Sequence, residues 1–344
     1  MQSILVRQIT RRNPFKIVRV PWIARVYAYP FDRWPSLGSQ ALFGAPNFML
    51  FFLFQRFSPF RPKGIFRYTI EGREKLIEFN PCNTQFCALY RKNFAHGYEP
   101  QISALLDVLL PEDGVFYDIG SNWGWFSLLL ASKDGFRGAV HAFEPFPASY
   151  RDLCQVVEQA GLTGRVKPHA MAVSDQVGSA TMHLTDHFQS GTAQMEEARG
   201  STGQIQTAAL DALGLEPPSA IKVDVEGAEA KVFKGGRKLL SEHKPMIVFE
   251  NSGSVHEPEL TLEPLTVLQE LGYEFFQAGW LRDRRGRTFV MGDDTDSKPE
   301  PTEKLCLVKF ELPERFLRPS GINIFACHRD KYPQLKTIFE EHYL

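Results

Sequence analysis

The stretch VFYDIGSNWG, residues 115 to 124, places an aspartate and two glycines where one apolar run ends and another begins. A dinucleotide site would have its second glycine at position 122, so that the backbone can approach a pyrophosphate at a helix start. This chain has Asn122 there, and the carboxylate of Asp118 would repel a phosphate. The turn therefore favours a ligand that carries an ammonium group.

A zwitterionic ligand suits this turn. We predict that Asp118 lies near its cation and that backbone N–H groups of the turn lie near its carboxylate. S-adenosyl-L-methionine ends in such an amino-acid group. The sequence therefore predicts this cofactor, with Gly120, Asn122 and Gly124 forming the turn around it.

Two later strand ends complete the predicted cofactor site. Glu144 follows the run AVHAF and is placed to accept hydrogen bonds from a ribose diol, although nicotinamide enzymes use an acid similarly. The stretch AVSD, residues 172 to 175, could bring Ser174 or Asp175 to an adenine edge. A plain turn cap is an equally good interpretation of these two side chains.

A second cluster of charge ends two other apolar runs. Asp224 and Glu226 follow AIKV, which Lys222 interrupts, and Glu250 ends MIVFE. Charges at the mouth of a parallel sheet cost desolvation energy unless they are paired or used. Methyl transfer to a hydroxyl requires an aligned oxygen and help in removing its proton. We predict Asp224, Glu226 and Glu250 as catalytic residues.

These three acids could also hold a divalent cation. Carboxylates alone are a weak metal signal, and Glu226 and Glu229 can equally interact with the dipole of a helix that begins beside them. No metal site is predicted.

The elements that must position these residues alternate along the chain. Such alternation, with near-continuous apolar strands, predicts an α/β fold with a mostly parallel sheet and helices on both faces. Ligands of these sheets bind at the carboxyl ends of the strands. The predicted strands are 115–119, 139–143, 165–173, 220–225, 246–250, 273–277 and 321–327, the last as an antiparallel edge. The predicted helices are 102–110, 123–132, 147–160, 228–241, 258–271 and 333–341, and a hairpin is predicted from 64 to 79.

Residues 1–60 differ in composition from residues 61–344. They hold eight of the 39 basic residues, one of the 40 acidic residues and 13 of the 43 aromatic residues. We interpret 1–60 as a basic, aromatic-rich segment and 61–344 as the main domain. The aromatics either pack onto that domain or a partner chain, or the segment contacts an anionic membrane surface peripherally. The apolar run 41–54 is too short and too interrupted to span a bilayer.

The overall balance excludes some function classes. The formal net charge of −1 argues against a nucleic-acid partner. Five scattered cysteines favour reduced thiols, and the charged start offers no signal peptide. The sequence therefore predicts a cytoplasmic protein, with the inner membrane face as the alternative place.

Four motifs in order resemble those of FkbM-type S-adenosylmethionine-dependent methyltransferases. They are YDIGSNWGWFSL, AFEP, AVSDQVGSA and IKVDVEGAEAKVFKGG, preceded by HGYEP at 96–100. The resemblance covers about residues 64–330. It implies a class I, Rossmann-like methyltransferase fold of seven strands with the last antiparallel, and O-methylation of hydroxyls on sugars, glycolipids or polyketide products. The acceptor would be a small molecule or a glycan.

The resemblance also assigns residues. Asp118, Gly120, Asn122 and Gly124 match the cofactor turn and Glu144 the ribose acid. Glu99 matches an upstream acid near the methionine end of the cofactor, and Asp224 and Glu226 match acids beside the sulfonium and acceptor. Two positions depart from the family pattern: Trp123 within the turn and Ala209 in place of a threonine.

Two further hypotheses stay open. A nicotinamide-dependent oxidoreductase is disfavoured by Asp118 and the missing glycine. A non-catalytic binding module would keep the fold and use residues 1–60 to bind a partner or a lipid.

Overall fold

The computed structural model of the chain describes residues 3–34, 37–57, 62–183, 194–196, 204–284, 287–291, 303–319 and 321–343. Its helices are α1 (Trp22–Arg33), α2 (Leu37–Phe57), α3 (Pro100–Leu109), α4 (Trp125–Ala131), α5 (Pro147–Ala160), α6 (Glu229–Lys234), α7 (Arg237–His243), α8 (Pro258–Glu270) and α9 (Tyr332–Ile338).

The strands up to the middle of the chain are β1 (Ser3–Gln8), β2 (Phe15–Arg19), β3 (Gly64–Ile70), β4 (Arg73–Phe79), β5 (Val115–Ile119), β6 (Ala139–Phe143), β7 (Val166–His169), β8 (Ala172–Ser174) and β9 (Gly178–His183). They are followed by β10 (Gln194–Glu196), β11 (Gln204–Ala209), β12 (Ala220–Val223), β13 (Met246–Ser252), β14 (Tyr273–Arg284), β15 (Arg287–Met291), β16 (Lys304–Phe310), β17 (Gly321–His328) and β18 (Glu340–Tyr343).

The main sheet contains the seven predicted strands in the order β7-β6-β5-β12-β13-β17-β14. The first five pair in parallel, and β17 pairs antiparallel with both of its neighbours. The sheet continues through β16, β1 and β18, and β15 pairs with β14. This order confirms the predicted α/β fold with a mostly parallel core and its last strand antiparallel.

Side chains alternate between the two faces of this sheet, and each face has its own core. Phe116 and Val140 lie in one buried cluster with residues of α3, α4 and α5. Tyr117 and Ile221 lie in a second cluster with residues of α6, α7 and α8. Burial on both faces explains why these strands are apolar at nearly every position.

Four predicted elements differ from the structure. The terminal helix predicted over 333–341 ends at Ile338, and the chain continues as β18, which pairs with β1. The strand predicted over 165–173 is two strands, because the chain turns at Met171 and β8 pairs with β11 in a separate sheet. The helix predicted over 228–241 is interrupted at Gly235, whose backbone lies against the carbonyl of Ser174 with no room for a Cβ atom. Strand β17 is antiparallel as predicted, but it lies between β13 and β14 and is not an edge.

The N-terminal residues share sheets with the rest of the chain. β1 pairs with β16 and β18 in the main sheet. β2 pairs with β3 of the predicted hairpin, whose turn is Glu71-Gly72, both with positive φ. The division of the chain at residue 60 stays a prediction.

None of the helices within the described ranges combines the length and hydropathy needed to cross a membrane. The sequence predicts that the loops 96–100, 186–206 and 280–300 shape an acceptor pocket. Most of the second loop and much of the third lie outside the described ranges.

Candidate functional site

A pocket opens at the carboxyl ends of β5, β6, β12 and β13, the edge of the sheet at which the sequence places its ligand. Seven of the predicted site residues line it: Asp118, Gly120, Asn122, Glu144, Asp224, Glu226 and Glu250. Four do not: Glu99, Gly124, Ser174 and Asp175. The topology therefore brings most of the predicted residues into one cavity.

Asp118 joins β5 to the helix that follows the turn. Its Oδ2 atom accepts hydrogen bonds from the backbone N–H of Ser127 at 3.0 Å and from its hydroxyl at 2.6 Å. The side chain is buried, and burial raises its pKa, which these hydrogen bonds oppose. Asp118 thus has a structural role at the start of α4 besides any contact with a ligand.

Gly120 allows the turn to lie against the segment that follows β12. Its φ is +83°, and a Cβ atom would lie 1.7 Å from the carbonyl oxygen of Asp224. Any side chain at this position would push the two loops of the pocket apart. Gly124 has a similar role beneath the pocket, where a Cβ atom would lie 2.6 Å from Leu153.

Three backbone N–H groups of the turn donate to neighbouring groups of the protein. Those of Gly120 and Ser121 both donate to the carbonyl of Phe143, and that of Asn122 donates to Glu144. These three amides hold the turn against β6 and the loop after it. The contact of the turn with a cofactor carboxylate stays a prediction.

Glu144 closes the loop after β6. Its Oε2 atom accepts from the N–H of Asn122 and its Oε1 atom from the N–H of Phe146, each at 2.8 Å. Burial raises its pKa to about 7. Each carboxylate oxygen has two lone pairs, so both can accept one further hydrogen bond from a ligand hydroxyl.

The pocket wall beyond Glu144 is apolar. It is formed by Phe146, Met171, Ala172 and Val173. The hydroxyl of Ser174 donates to Asp175, and this pair forms the turn after β8 rather than the wall. A flat, apolar group would contact the backbone and side chains just before the two predicted residues.

Lys222 and Asp224 form an ion pair at the other end of the pocket. The two groups are 2.8 Å apart, and the lysine is only 2% exposed. Its ammonium also lies 4.7 Å from the centre of the Phe126 ring. Burial opposes the charge of Lys222, but Asp224 and Glu99 outweigh it and raise the lysine pKa.

Glu226 and Glu250 flank this pair and titrate near neutrality. Desolvation and the charge of Asp224 raise the pKa of Glu226 to about 7 and that of Glu250 to about 8. Glu226 has a φ of +52° in the turn between β12 and α6. Glu229, the first residue of α6, stabilises this turn by accepting from the N–H of Gly227 at 3.1 Å.

Glu99 lies behind the pocket wall and acts on it electrostatically. The charge of Glu99 and the burial of Tyr98 raise the pKa of Tyr98 well above its ordinary value. The charge of Glu99 also contributes to the raised pKa of Glu250. Tyr98 itself lines the pocket and was not predicted as a site residue. Tyr98 precedes Glu99, which stands directly before the start of α3 at Pro100. This position beside a predicted acid is the sequence signal that could have identified Tyr98 as a site residue.

Trp123 is the residue of the turn that departs from the family pattern described in the sequence analysis. Its side chain lines the pocket floor, is 2% exposed, and stacks on Phe86 with ring centres 4.6 Å apart. Trp123 therefore connects the turn between β5 and α4 to the segment 84–89, which supplies Gln85 and Ala88 to the pocket wall.

Across the described ranges, no three His, Cys, Asp or Glu side chains are arranged so that they could hold a metal ion.

Comparison with known proteins adds a family to this geometry. The methyltransferase FkbM domain matches residues 116–275, which include every pocket loop from β5 to β14. A hexuronic acid methyltransferase, AglP of Haloferax volcanii, is 30% identical over 169 residues, 48% of this chain and 67% of the relative.

Solved structures show a more distant likeness. Methyltransferase FkbM of Methylobacillus flagellatus KT has 18% identity and a TM-score of 0.38, over 66% of this chain and 53% of its own. A SAM-dependent O-methyltransferase of Thermotoga maritima has 14% identity and a TM-score of 0.36, over 71% of this chain and 76% of its own. The chain thus spans about half the length of the first structure. From the domain match and the sequence relative together, the chain belongs to the FkbM methyltransferase family.

Proposed function

We propose that the protein transfers a methyl group from S-adenosyl-L-methionine to a hydroxyl group of a sugar, glycolipid or polyketide-type small molecule. The observation that carries this proposal is the single pocket that joins Glu144 and an apolar wall to the acids Asp224, Glu226 and Glu250. Membership of a methyltransferase family supports the reaction type.

The lining of the pocket suits the parts of this cofactor. The apolar wall of Phe146, Met171 and Val173 fits an adenine ring, and Glu144 fits the ribose diol. The negative charge of Asp118 and Asp224 fits the ammonium group and the sulfonium. When bound, the cofactor would supply an electrophilic methyl group.

The acids beyond the ion pair supply the proton acceptor. Lys222 holds Asp224 in one place, so that its carboxylate can orient an acceptor hydroxyl by accepting its hydrogen bond. Glu226 and Glu250 have pKa values of about 7 and about 8, which lie near the optimum for a general base at neutral pH. We assign them the removal of the hydroxyl proton.

The sugar class of acceptor is supported by the hexuronic acid methyltransferase among the relatives. A hydroxyl acceptor also suits a site rich in carboxylates, because each can accept a hydrogen bond from it.

Calorimetry with S-adenosyl-L-methionine and with NAD tests the cofactor. We expect saturable heat with the first and none with the second, and we expect Glu144→Ala to weaken binding at least about tenfold through loss of the ribose contacts. Saturation by NAD alone would instead support the oxidoreductase.

Methyl transfer is tested with radiolabelled cofactor and a panel of uronic acids, neutral sugars and glycolipids. We expect label in at least one hydroxyl-bearing acceptor with the wild type and at least about a hundredfold less with Asp224→Ala. Glu259→Ala, an exposed acid on α8, is the matched control and should retain activity. Unchanged transfer by Asp224→Ala would remove this residue from catalysis, and cofactor binding without transfer to any acceptor would favour the binding module.

A further inference from the structure

Helices α1 and α2 form an antiparallel pair with a clear inner and outer face. On the inner face, Gly44 lies against Pro30, where a Cβ atom would be only 2.7 Å from the proline ring. Phe51 is buried there, with its ring centre 4.8 Å from that of Tyr27. The inner face of α2 is therefore occupied by protein.

The outer face of α2 is apolar and exposed to solvent. Leu42, Met49 and Leu53, spaced at seven and four residues, are 72%, 62% and 47% exposed. Phe43 and Leu50 beside them are also exposed. A contiguous exposed patch of this kind on one helix face marks an interaction surface.

The neighbouring face of α1 adds amphipathic aromatic and basic side chains. Trp22, Arg25, Tyr29 and Arg33 recur at three- and four-residue intervals, and all four are exposed. Between residues 33 and 70 the sequence has no aspartate or glutamate. We call these exposed faces of α1 and α2 the hairpin surface.

We propose that the hairpin surface binds an anionic phospholipid bilayer, with α2 lying in the plane of the membrane. Aliphatic side chains would enter the boundary between headgroups and acyl chains, Trp22 and Tyr29 would lie at headgroup level, and Arg25 and Arg33 would face lipid phosphates. Arg25 and Arg33 are exposed and α2 itself contains no acidic residue, which favours lipid over a second copy of this surface, since two copies would bring like charges together.

The helices that carry the hairpin surface use other side chains to contact both ends of a segment that lines the pocket. The side-chain amide of Gln55 donates to the carbonyl of Cys82 at 2.8 Å, and the guanidinium of Arg91 lies 4.5 Å from the Phe31 ring centre. The segment 84–89 between these two contacts lines the pocket through Gln85 and Ala88. Binding to a bilayer would therefore fix the orientation of the pocket relative to the membrane.

Co-sedimentation of the full-length protein with vesicles tests the proposal. We expect binding to phosphatidylglycerol–phosphatidylcholine vesicles, and at least about tenfold weaker binding for the triple variant Leu42→Gln, Met49→Gln, Leu53→Gln. The matched control Leu76→Gln, Leu260→Gln, Leu317→Gln removes three exposed leucines elsewhere and should bind like the wild type. Arg25→Gln with Arg33→Gln should reduce the preference for anionic over zwitterionic vesicles.

A second measurement uses the unaltered hairpin surface. Brominated phospholipids should quench part of the tryptophan fluorescence of the wild type. Trp22→Phe with Trp34→Phe should lose that part, because the other three tryptophans, Trp123, Trp125 and Trp280, are buried. The proposal is overturned if the wild type does not sediment with anionic vesicles or if the control variant loses as much binding as the triple variant. A wild-type dimer that the triple variant converts to a monomer, without vesicle binding, would assign the surface to a second copy.

Discussion

At the scale of single residues, the pair Lys222 and Asp224 combines a structural and a chemical role. A buried lysine is tolerated because a carboxylate lies 2.8 Å away, and that contact also fixes the carboxylate at the pocket. Removing one partner of such a pair leaves the other charge buried. A loss of activity after mutation therefore has to be separated from a loss of stability.

We predict that Asp224→Ala lowers the free energy of unfolding by about 3 kcal/mol, because the ammonium of Lys222 stays buried. Adding Lys222→Met should restore most of this stability without restoring methyl transfer. Urea denaturation and the labelled transfer assay measure the two effects. Recovery of activity in the double variant would show that Asp224 acts only as a partner for the lysine.

The raised pKa values of Glu226 and Glu250 predict the pH dependence of the reaction. A general base must be deprotonated, so kcat/KM should rise with pH and level off above about pH 8, the pKa of Glu250. Glu226→Gln should shift the rise in kcat/KM that depends on Glu250 to lower pH, because the charge of Glu226 contributes to the raised pKa of Glu250. Because the two glutamates interact, the pKa values that the profile gives belong to the pair and not to either residue alone.

Glu250→Gln should remove the rise in kcat/KM that accompanies deprotonation of Glu250. Steady-state rates measured between pH 5 and pH 9 would show this loss. The isosteric amide keeps the volume of the side chain, so that packing is a smaller concern. Profiles that coincide for the wild type and both variants would exclude the two glutamates as the base.

At the scale of elements, the sequence predicts best where one local signal decides the structure. β5, β6 and α5 have the predicted bounds, because Gly120 follows β5, Pro145 stands two residues after β6, and Gly161 ends α5 in a left-handed conformation. The break between β7 and β8 was missed because both pieces are β-forming, and only the pairing of β8 with β11 separates them.

The site follows the same rule. Acids directly after strands were predictable because parallel strands end at one edge. Tyr98, Phe146 and Met171 enter the pocket from loops, and their placement depends on how those loops pack. The close approach of Gly120 to Asp224 joins segments about a hundred residues apart, so no local sequence signal records it.

That close approach gives a prediction for the turn as a unit. Gly120→Ala would have a strained φ and a Cβ atom 1.7 Å from a carbonyl oxygen, whereas Gly214→Ala would have a similar φ of +62° and open space. We expect a loss of about 1 kcal/mol for Gly214→Ala and at least about 3 kcal/mol for Gly120→Ala. Only Gly120→Ala should abolish cofactor binding in calorimetry. Equal effects of the two substitutions would mean that backbone strain alone matters.

At the scale of the whole molecule, the N-terminal residues are part of the main sheet. β1 lies between β16 and β18, and Ile4, Leu5 and Val6 are buried. Arg12 forms an ion pair with Asp107 of α3, and Phe15 contacts Trp123 and Trp125. The aromatics and cations of the segment before β3 thus have two locations, some within the core and some on the hairpin surface.

This placement predicts that residues 61–344 do not form a stable domain alone. Deleting residues 1–60 would expose the edges of β16 and β18 and remove buried apolar side chains, of which Ile4, Leu5 and Val6 of β1 are each worth roughly 1.5–3 kcal/mol. That sum is comparable with the roughly 5–15 kcal/mol that stabilises a typical domain. We expect the truncated chain to aggregate or to melt without cooperativity in calorimetry.

A milder change keeps the comparison quantitative if the truncated chain is not obtained in soluble form. Ile4→Ala with Val6→Ala should cost about 4 kcal/mol, because both side chains are buried against Cys306. Val177→Ala with Val255→Ala, at two exposed sites, should cost less than about 1 kcal/mol. If residues 61–344 instead unfold cooperatively at the wild-type temperature, and the two double variants are equally stable, then β1 is an appendage and residue 60 marks a true domain boundary.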